Sequence, residues 1–219
     1  MQNQEEKVMF FLNDSLEFPS VEKANAEGLL AVGGNLSPER LILAYQNGIF
    51  PWFNEDALIL WWSPDPRMVL FPKKIKVSKS MKKVLKDELF RLTKNTCFNL
   101  ILEKCATIKR VGQEGTWITD EMKDAYKVLY EKGYVSSYEV WKENKLVGGL
   151  YGVDIGNGVF SGESMFSSVS NASKFALIKL AEELQVKNYK LIDCQLYTTH
   201  LESLGAEEIS RKKFIKFLK

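Results

Sequence analysis

The sequence predicts an α+β protein with a small N-terminal domain (residues 1–63) ahead of a larger domain (64–219) built on a mixed, mostly antiparallel sheet. Two observations predict the sheet, and a third places the boundary. From Ser137 onward the apolar periodicity reads strand, strand, strand, helix, strand, helix, which is a mixed sheet with one right-handed helical crossover. Residues 146–167, LVGGLYGVDIGNGVFSGESMFS, hold the densest glycine usage in the chain, with apolar residues on both sides of a turn. Ser63-Pro64-Asp65-Pro66 is a stiff connector that divides the chain.

In order, residues 18–34 read as irregular and end in Gly33-Gly34. Ser37-Pro38-Glu39 opens a helix, with Ser37 as N-cap, Pro38 in the first turn and Glu39 favourable to the dipole. Leu41, Ile42, Ala44 and Tyr45 form its buried face, and Gly48 stops it. Proline keeps the aromatic stretch 49–53 out of a helix. Residues 58–62 and 68–71 read as short strands, 89–93 as another, and 97–109 carries helical spacing. Residues 111–118 read as a loop, and Thr119-Asp120 caps a helix running to Gly133. Strands follow at 137–141, 145–153 and 159–164, with turns at Glu143-Asn144 and at 154–158, where Gly156 and Gly158 supply positive φ. Gly148, Gly149 and Gly152 inside a strand require a bulge or the close approach of another backbone or a ligand. A polar loop, 167–171, leads into an amphipathic helix over 172–187, then a strand at 190–195, a short helix at 199–204 and a basic helix at 211–218.

The chain has 219 residues, 45% hydrophobic and 26% charged, the profile of an ordinary globular protein with room for a real core. Thirty basic against 28 acidic residues leave +2, so local patches decide about polyanions. The strongest patch is 73–86, KKIKVSKSMKKVLK, with Lys79, Lys82, Lys83 and Lys86 largely on one side of a helix. It is either a solvated face or a surface for a polyanion. The N-terminal stretch lacks a basic n-region and a long apolar h-region, and no run approaches a membrane span, so no membrane association is expected. Three cysteines without metal spacing point to a reducing, cytoplasmic setting, and with a single histidine, His200, they leave almost no material for a zinc site, an all-carboxylate metal site being the alternative.

Two places carry chemistry. Glu163 is a carboxylate set among Phe160, Met165 and Phe166, and an acid in apolar company has a partner or a task. Asp193 and Gln195 stand two apart on a strand, so they share one face while Ile192, Cys194 and Leu196 take the other. They are either a polar pair bonded to loop backbone, or a unit in which Asp193 accepts from the Gln195 amide and leaves its carbonyl oxygen to position an amine.

Seven blocks then stand in register: FPWF (50–53), WWSPDPR (61–67), GTWI (115–118), GESMFS (162–167), NASK (171–174), LIDCQ (191–195) and HLESLGAEEI (200–209). Together they resemble the leucyl/phenylalanyl-tRNA–protein transferase family. The resemblance implies a small N-terminal domain and a GNAT-like (acyl-N-acyltransferase) domain, and transfer of leucine or phenylalanine, methionine less well, from aminoacyl-tRNA to proteins beginning with Arg or Lys. It further implies an N-degron role; no cofactor and no metal are expected, and the protein is expected to be a monomer. Residue by residue, it makes Asp193 and Gln195 the catalytic pair and places Glu163 at the rim of the side-chain pocket. Phe160, Met165, Leu177 and Ile192 fall at or near the pocket lining, and Leu150 and Leu180 stand where the family pattern has Met and Phe. Trp52 and Trp117 match tryptophans around the terminal adenosine, and Lys79, Lys82, Lys83 and Lys86 match a basic cluster for the acceptor stem. The main rival is an acetyl-CoA-dependent acetyltransferase on the same fold, which expects a glycine-rich phosphate loop where residues 167–172 read SSVSNA. A serine hydrolase built on Gly162-Glu163-Ser164 and His200 lacks the closing glycine of a nucleophile elbow. A non-catalytic RNA-binding module leaves Asp193 and Gln195 without a purpose.

Overall fold

A computed structural model describes residues 9–108 and 117–219. The chain first builds a four-stranded sheet from β1 (Phe10–Leu12), β2 (Leu29–Gly33), β3 (Phe50–Pro51) and β4 (Leu60–Trp62), in the order β1-β2-β4-β3. Strand β2 lies in the stretch expected to be irregular. Its sequence, LLAVG, does not alternate because its three central residues are all buried, and its backbone partners come from β1 and β4. Helix α1 (Pro38–Gln46) begins at Ser37, whose hydroxyl accepts the Arg40 N–H, and buries Leu41, Ala44 and Tyr45.

The larger sheet has seven strands: β5 (Arg67–Leu70), β6 (Arg91–Lys94), β7 (Val135–Lys142), β8 (Lys145–Asp154), β9 (Val159–Ser167), β10 (Leu191–Gln195) and β11 (Glu207–Ile209), in the order β11-β5-β10-β9-β8-β7-β6. Every pairing in it is antiparallel except β9 with β10, which are parallel and joined through helix α5 (Ala172–Val186). An antiparallel sheet broken by one parallel pair across a crossover helix is the arrangement expected of an acyl-N-acyltransferase domain. Strand β9 runs past the expected end at residue 164, because β8 continues to pair with it as far as Gly148 opposite Ser167. Strand β11 has no counterpart among the expected strands; it is three residues long and stands at the sheet edge.

Helices α2 (Lys79–Lys86), α3 (Phe98–Thr107), α4 (Asp120–Glu131), α6 (Thr199–Ser203) and α7 (Arg211–Leu218) complete the fold. Thr119 caps α4 through its hydroxyl, as its position predicts. Most of the expected loop 111–118 lies outside the described residues. The sheet divides two apolar layers. On one face Tyr151, Val153 and Phe166 pack with α3, α4, α1 and Trp61, so the first sheet and the second share a core. On the other, Leu150, Phe160 and Ile192 pack with α5 and with Met81 and Val84 of α2. Strand β4 of the first sheet ends at Trp62 and β5 of the second begins at Arg67.

The strand glycines answer to packing. A Cβ at Gly148 would lie 2.6 Å from the Ala172 Cβ, so the glycine lets α5 start directly against β8. Among the described residues no helix is long and apolar enough to cross a membrane.

Candidate active site

The site arises where two strands part. Strands β9 and β10 pair for three residues, from Leu191 opposite Val159 to Asp193 opposite Ser161. Beyond that, β9 stays with β8, while β10 shifts register against β5 between Asp193 and Gln195 and ends. The gap opens into a cavity of about 490 Å³, within the usual range for small-molecule sites. Its β9 wall is Gly162, Glu163, Ser164 and Met165; its β10 wall is Ile192, Cys194 and Gln195, with Leu196 just beyond the strand. Leu177 and Leu180 of α5, Leu150 of β8, and Phe50, Trp52 and Trp117 line it as well. Trp52 is braced by Trp62, whose indole Nε1 donates to the Trp52 carbonyl at 2.7 Å.

The polar groups form a chain. Glu163 Oε2 accepts from the Tyr126 hydroxyl at 2.7 Å, and the Tyr126 and Tyr45 hydroxyls are 2.8 Å apart. Glu163 Oε1 accepts from Gln195 Nε2 at 3.2 Å. Burial pushes the Glu163 carboxyl up to about 7; bonds from Tyr126 and Tyr45 oppose this, the Asp193 charge adds to it and the Arg67 charge reduces it. Burial drives both tyrosines well above their ordinary range, with the Glu163 charge as the next cause for each. They therefore remain hydroxyl donors.

The expected pairing of Asp193 with the Gln195 side chain is corrected. Asp193 does not line the cavity. It lies behind it, where Arg67 Nε and Nη2 donate to its two oxygens at 2.7 Å each. Its remaining contact with Gln195 is to the backbone: Gln195 N–H donates to Asp193 Oδ1 at 3.0 Å. The shared-face expectation requires an unbroken strand. The register shift after Asp193 and the positive φ of Gln195, 60°, break the alternation and turn Gln195 to the cavity with Ile192, Cys194 and Leu196. The amide still donates through nitrogen to a carboxylate and leaves its oxygen free for another donor, but that carboxylate is Glu163.

A model of the family described as leucyl/phenylalanyl-tRNA protein transferase matches residues 69–219, and a model of that family's N-terminal domain matches residues 34–65. The chain belongs to this family. The leucyl/phenylalanyl-tRNA–protein transferase of Flavobacterium johnsoniae is 56% identical over 211 residues, covering 96% of this chain and 99% of the relative. That of Christiangramia forsetii is 54% identical over 211 residues, covering 96% and 100%. Among solved structures, L-PGS from Bacillus licheniformis overlaps with a TM-score of 0.44 at 11% identity, covering 78% of this chain and 54% of that one.

Within this transferase family, Met165, Leu150, Leu177, Leu180, Ile192, Trp52 and Trp117 of the present chain are all at the cavity. Phe160 is not, which corrects the expectation for it. It is 1% exposed and packs edge-on against Tyr138 in the core layer below. Lys79, Lys82, Lys83 and Lys86 are exposed on α2, with Met81 and Val84 turned inward. His200 also lines the cavity, and burial together with the nearby Lys174 lowers its pKa, which favours neutral imidazole. Cys194 lines it too, but burial pushes its thiol far up, so it is no thiolate nucleophile. Arg67, Tyr45 and Tyr126 carry no functional signal in the sequence alone. Arg67 stands in the WWSPDPR block, but an arginine after a proline turn shows no sign of a partner 126 residues away.

Proposed function

We propose that the protein transfers leucine or phenylalanine, and methionine less well, from aminoacyl-tRNA to the α-amino group of proteins beginning with Arg or Lys, tagging them for N-degron degradation. The observation that carries this reading is the contact between Gln195 and Glu163 in an apolar cavity that Trp52 and Trp117 also line. The aminoacyl side chain enters the apolar cavity and the terminal adenosine meets the tryptophans, since base–aromatic stacking tolerates any base. The incoming amine attacks the ester carbonyl, the C–N bond forms, and the bond to the ribose 3′-oxygen breaks. Gln195 Oε1 accepts an N–H of the amine and orients it. Glu163, a carboxyl poised near neutrality, takes the proton that the nitrogen loses and returns it to the departing 3′-oxygen. An unbranched Cβ is preferred by shape, and one methylene is worth only ~1–3 kcal/mol, so methionine leaks through.

The acetyl-CoA reading loses support at the start of α5. There Ser167 Oγ accepts the Ser173 N–H and donates to the Val169 carbonyl, and Ser168 Oγ donates to the Val147 carbonyl. The loop closes on its own groups where a pyrophosphate would need open N–H donors. The test is incubation with labelled phenylalanyl-tRNA and a peptide beginning with Arg, with a peptide beginning with Gly as control. Label in the Arg peptide alone is expected. Equal labelling of both peptides, or none, overturns the proposal.

A further inference from the structure

We propose that Arg67 and Asp193 are positioning residues for the transfer: Arg67 locks the Asp193 carboxylate, which pins the Gln195 backbone and so aims the Gln195 amide at Glu163 and the cavity. The inference rests on the transfer reading above, and it gives Asp193 a different task from the one its place in the family motif implies. Asp193 is 2% exposed, and both its carboxylate oxygens are taken up by Arg67.

The geometry is built around the guanidinium. Arg67 is 1% exposed and meets Asp193 through two parallel bonds of 2.7 Å, the bidentate form that lysine cannot reproduce. Its third nitrogen, Nη1, donates to the Gly48 carbonyl at 3.1 Å, at the end of α1. Phe50 and Phe214 flank it, with ring centroids 4.8 and 4.6 Å from Cζ. Phe50 is itself a cavity residue, so the clamp ties β5, β10, α7 and the cavity wall together. Gln195 needs such a hold. A glutamine at φ 60° sits in a conformation that L side chains rarely adopt. The bond from its N–H to Asp193 Oδ1 secures that turn at the point where β10 leaves the sheet. A burial as deep as this makes an ion pair a weak source of stability, which leaves orientation as its stronger use.

The pair also sets a field at Glu163. The groups facing Glu163 are Tyr126 from α4, Tyr45 from α1, Gln195 and Asp193 from β10, and Arg67 from β5, with His200 of α6 also on the cavity. Of the charged ones, Asp193 raises its pKa and Arg67 lowers it, so each partner offsets the other.

Single-turnover transfer from phenylalanyl-tRNA to an Arg peptide is measured against pH for wild type, Arg67→Lys, Arg67→Gln and Asp193→Asn, each checked for folding by circular dichroism. Arg67→Lys is expected to lower the rate at least tenfold with KM for aminoacyl-tRNA within twofold and the acid limb unmoved. Arg67→Gln is expected to move the acid limb up by half a pH unit or more, and Asp193→Asn to move it down by as much. A folded Arg67→Lys variant at wild-type rate, a loss confined to KM, or shifts of the same sign overturn the proposal. Should the variants not fold, amide exchange of Gln195 in the wild-type protein decides: protection is expected, and exchange at the rate of a free loop overturns it. Wild-type transfer itself tests the underlying reaction, so the two failures are separable.

Discussion

Gln195 Nε2 and Glu163 Oε1 are 3.2 Å apart across the gap where β10 ends and β9 continues. One residue comes from each side of the parted parallel pair, so the contact exists only while the sheet holds that split. Glu163 is in turn bonded to Tyr126, and Tyr126 to Tyr45, which carries the chain from the crossover strands to α4 and to α1 of the N-terminal sheet unit. The reacting centre is thus braced by elements from both ends of the sequence.

Glu163 gives a prediction in pH with opposite signs for stability and for activity. Its carboxyl stands at about 7 against an ordinary 4.5, chiefly because it is buried. The folded state therefore holds this proton more tightly than the unfolded chain. The stabilisation is complete below about 4.5 and is lost as pH rises through about 7. Glu163→Gln escapes that loss, so its melting temperature relative to wild type is expected to be higher at pH 8 than at pH 5. Transfer by wild type falls below pH 7, and the variant is expected to lose about 100-fold or more at pH 8, a gap that narrows as pH falls below 7. Thermal melts at the two pH values check the first part, and an unchanged difference between them would count against the buried carboxyl.

Trp52 and Trp117 are expected to act on tRNA affinity. Alanine at either position removes a stacking surface worth ~1–3 kcal/mol, so KM for aminoacyl-tRNA rises by about tenfold or more while the maximal rate changes little. Steady-state kinetics with phenylalanyl-tRNA measures this. A fall in rate without change in KM would assign the rings to core packing.

The lysines of α2 make a prediction in salt. Lys79, Lys82, Lys83 and Lys86 are exposed on a helix whose inward side is Met81 and Val84, so replacing them leaves the packing intact. Alanine at each is expected to weaken tRNA binding and to flatten the dependence of log affinity on log salt by about one unit for every phosphate left without its lysine. Binding titrations at several salt concentrations test it, and an unchanged slope in the fourfold variant would leave the lysines as a solvated face.

Gly148→Ala is expected to destabilise the fold. The added Cβ would stand 2.6 Å from Ala172, where α5 begins. Overpacking of this kind costs roughly 1–3 kcal/mol, read as a lower midpoint in urea. A neutral outcome would show that α5 can withdraw from β8.

Much of the architecture is legible in local pattern. The cap at Ser37, the cap at Thr119 and the turn at Gly156 and Gly158 follow from single-residue chemistry that needs no distant partner. Leu177 and Leu180 read as one side of α5 from their spacing, and both reach the cavity. Strand β2 escapes because burial on both sides erases alternation, and β11 because three residues carry too little pattern. Phe160 resembles a pocket residue because it shares an apolar layer with Leu150, Leu177 and Ile192, yet it stands where β9 is still paired with β10, before the gap opens.

By itself, then, the sequence determined most of the strands and helices and the apolar sides of α1, α4 and α5, because each depends on neighbours a few positions away. Only the tertiary structure decided that Asp193 turns its back on the cavity to meet Arg67, and that Gln195 reaches Glu163. Those partners lie 126 and 32 residues distant in the chain. A register shift at one residue, invisible in a two-residue alternation, sets which of them each side chain finds.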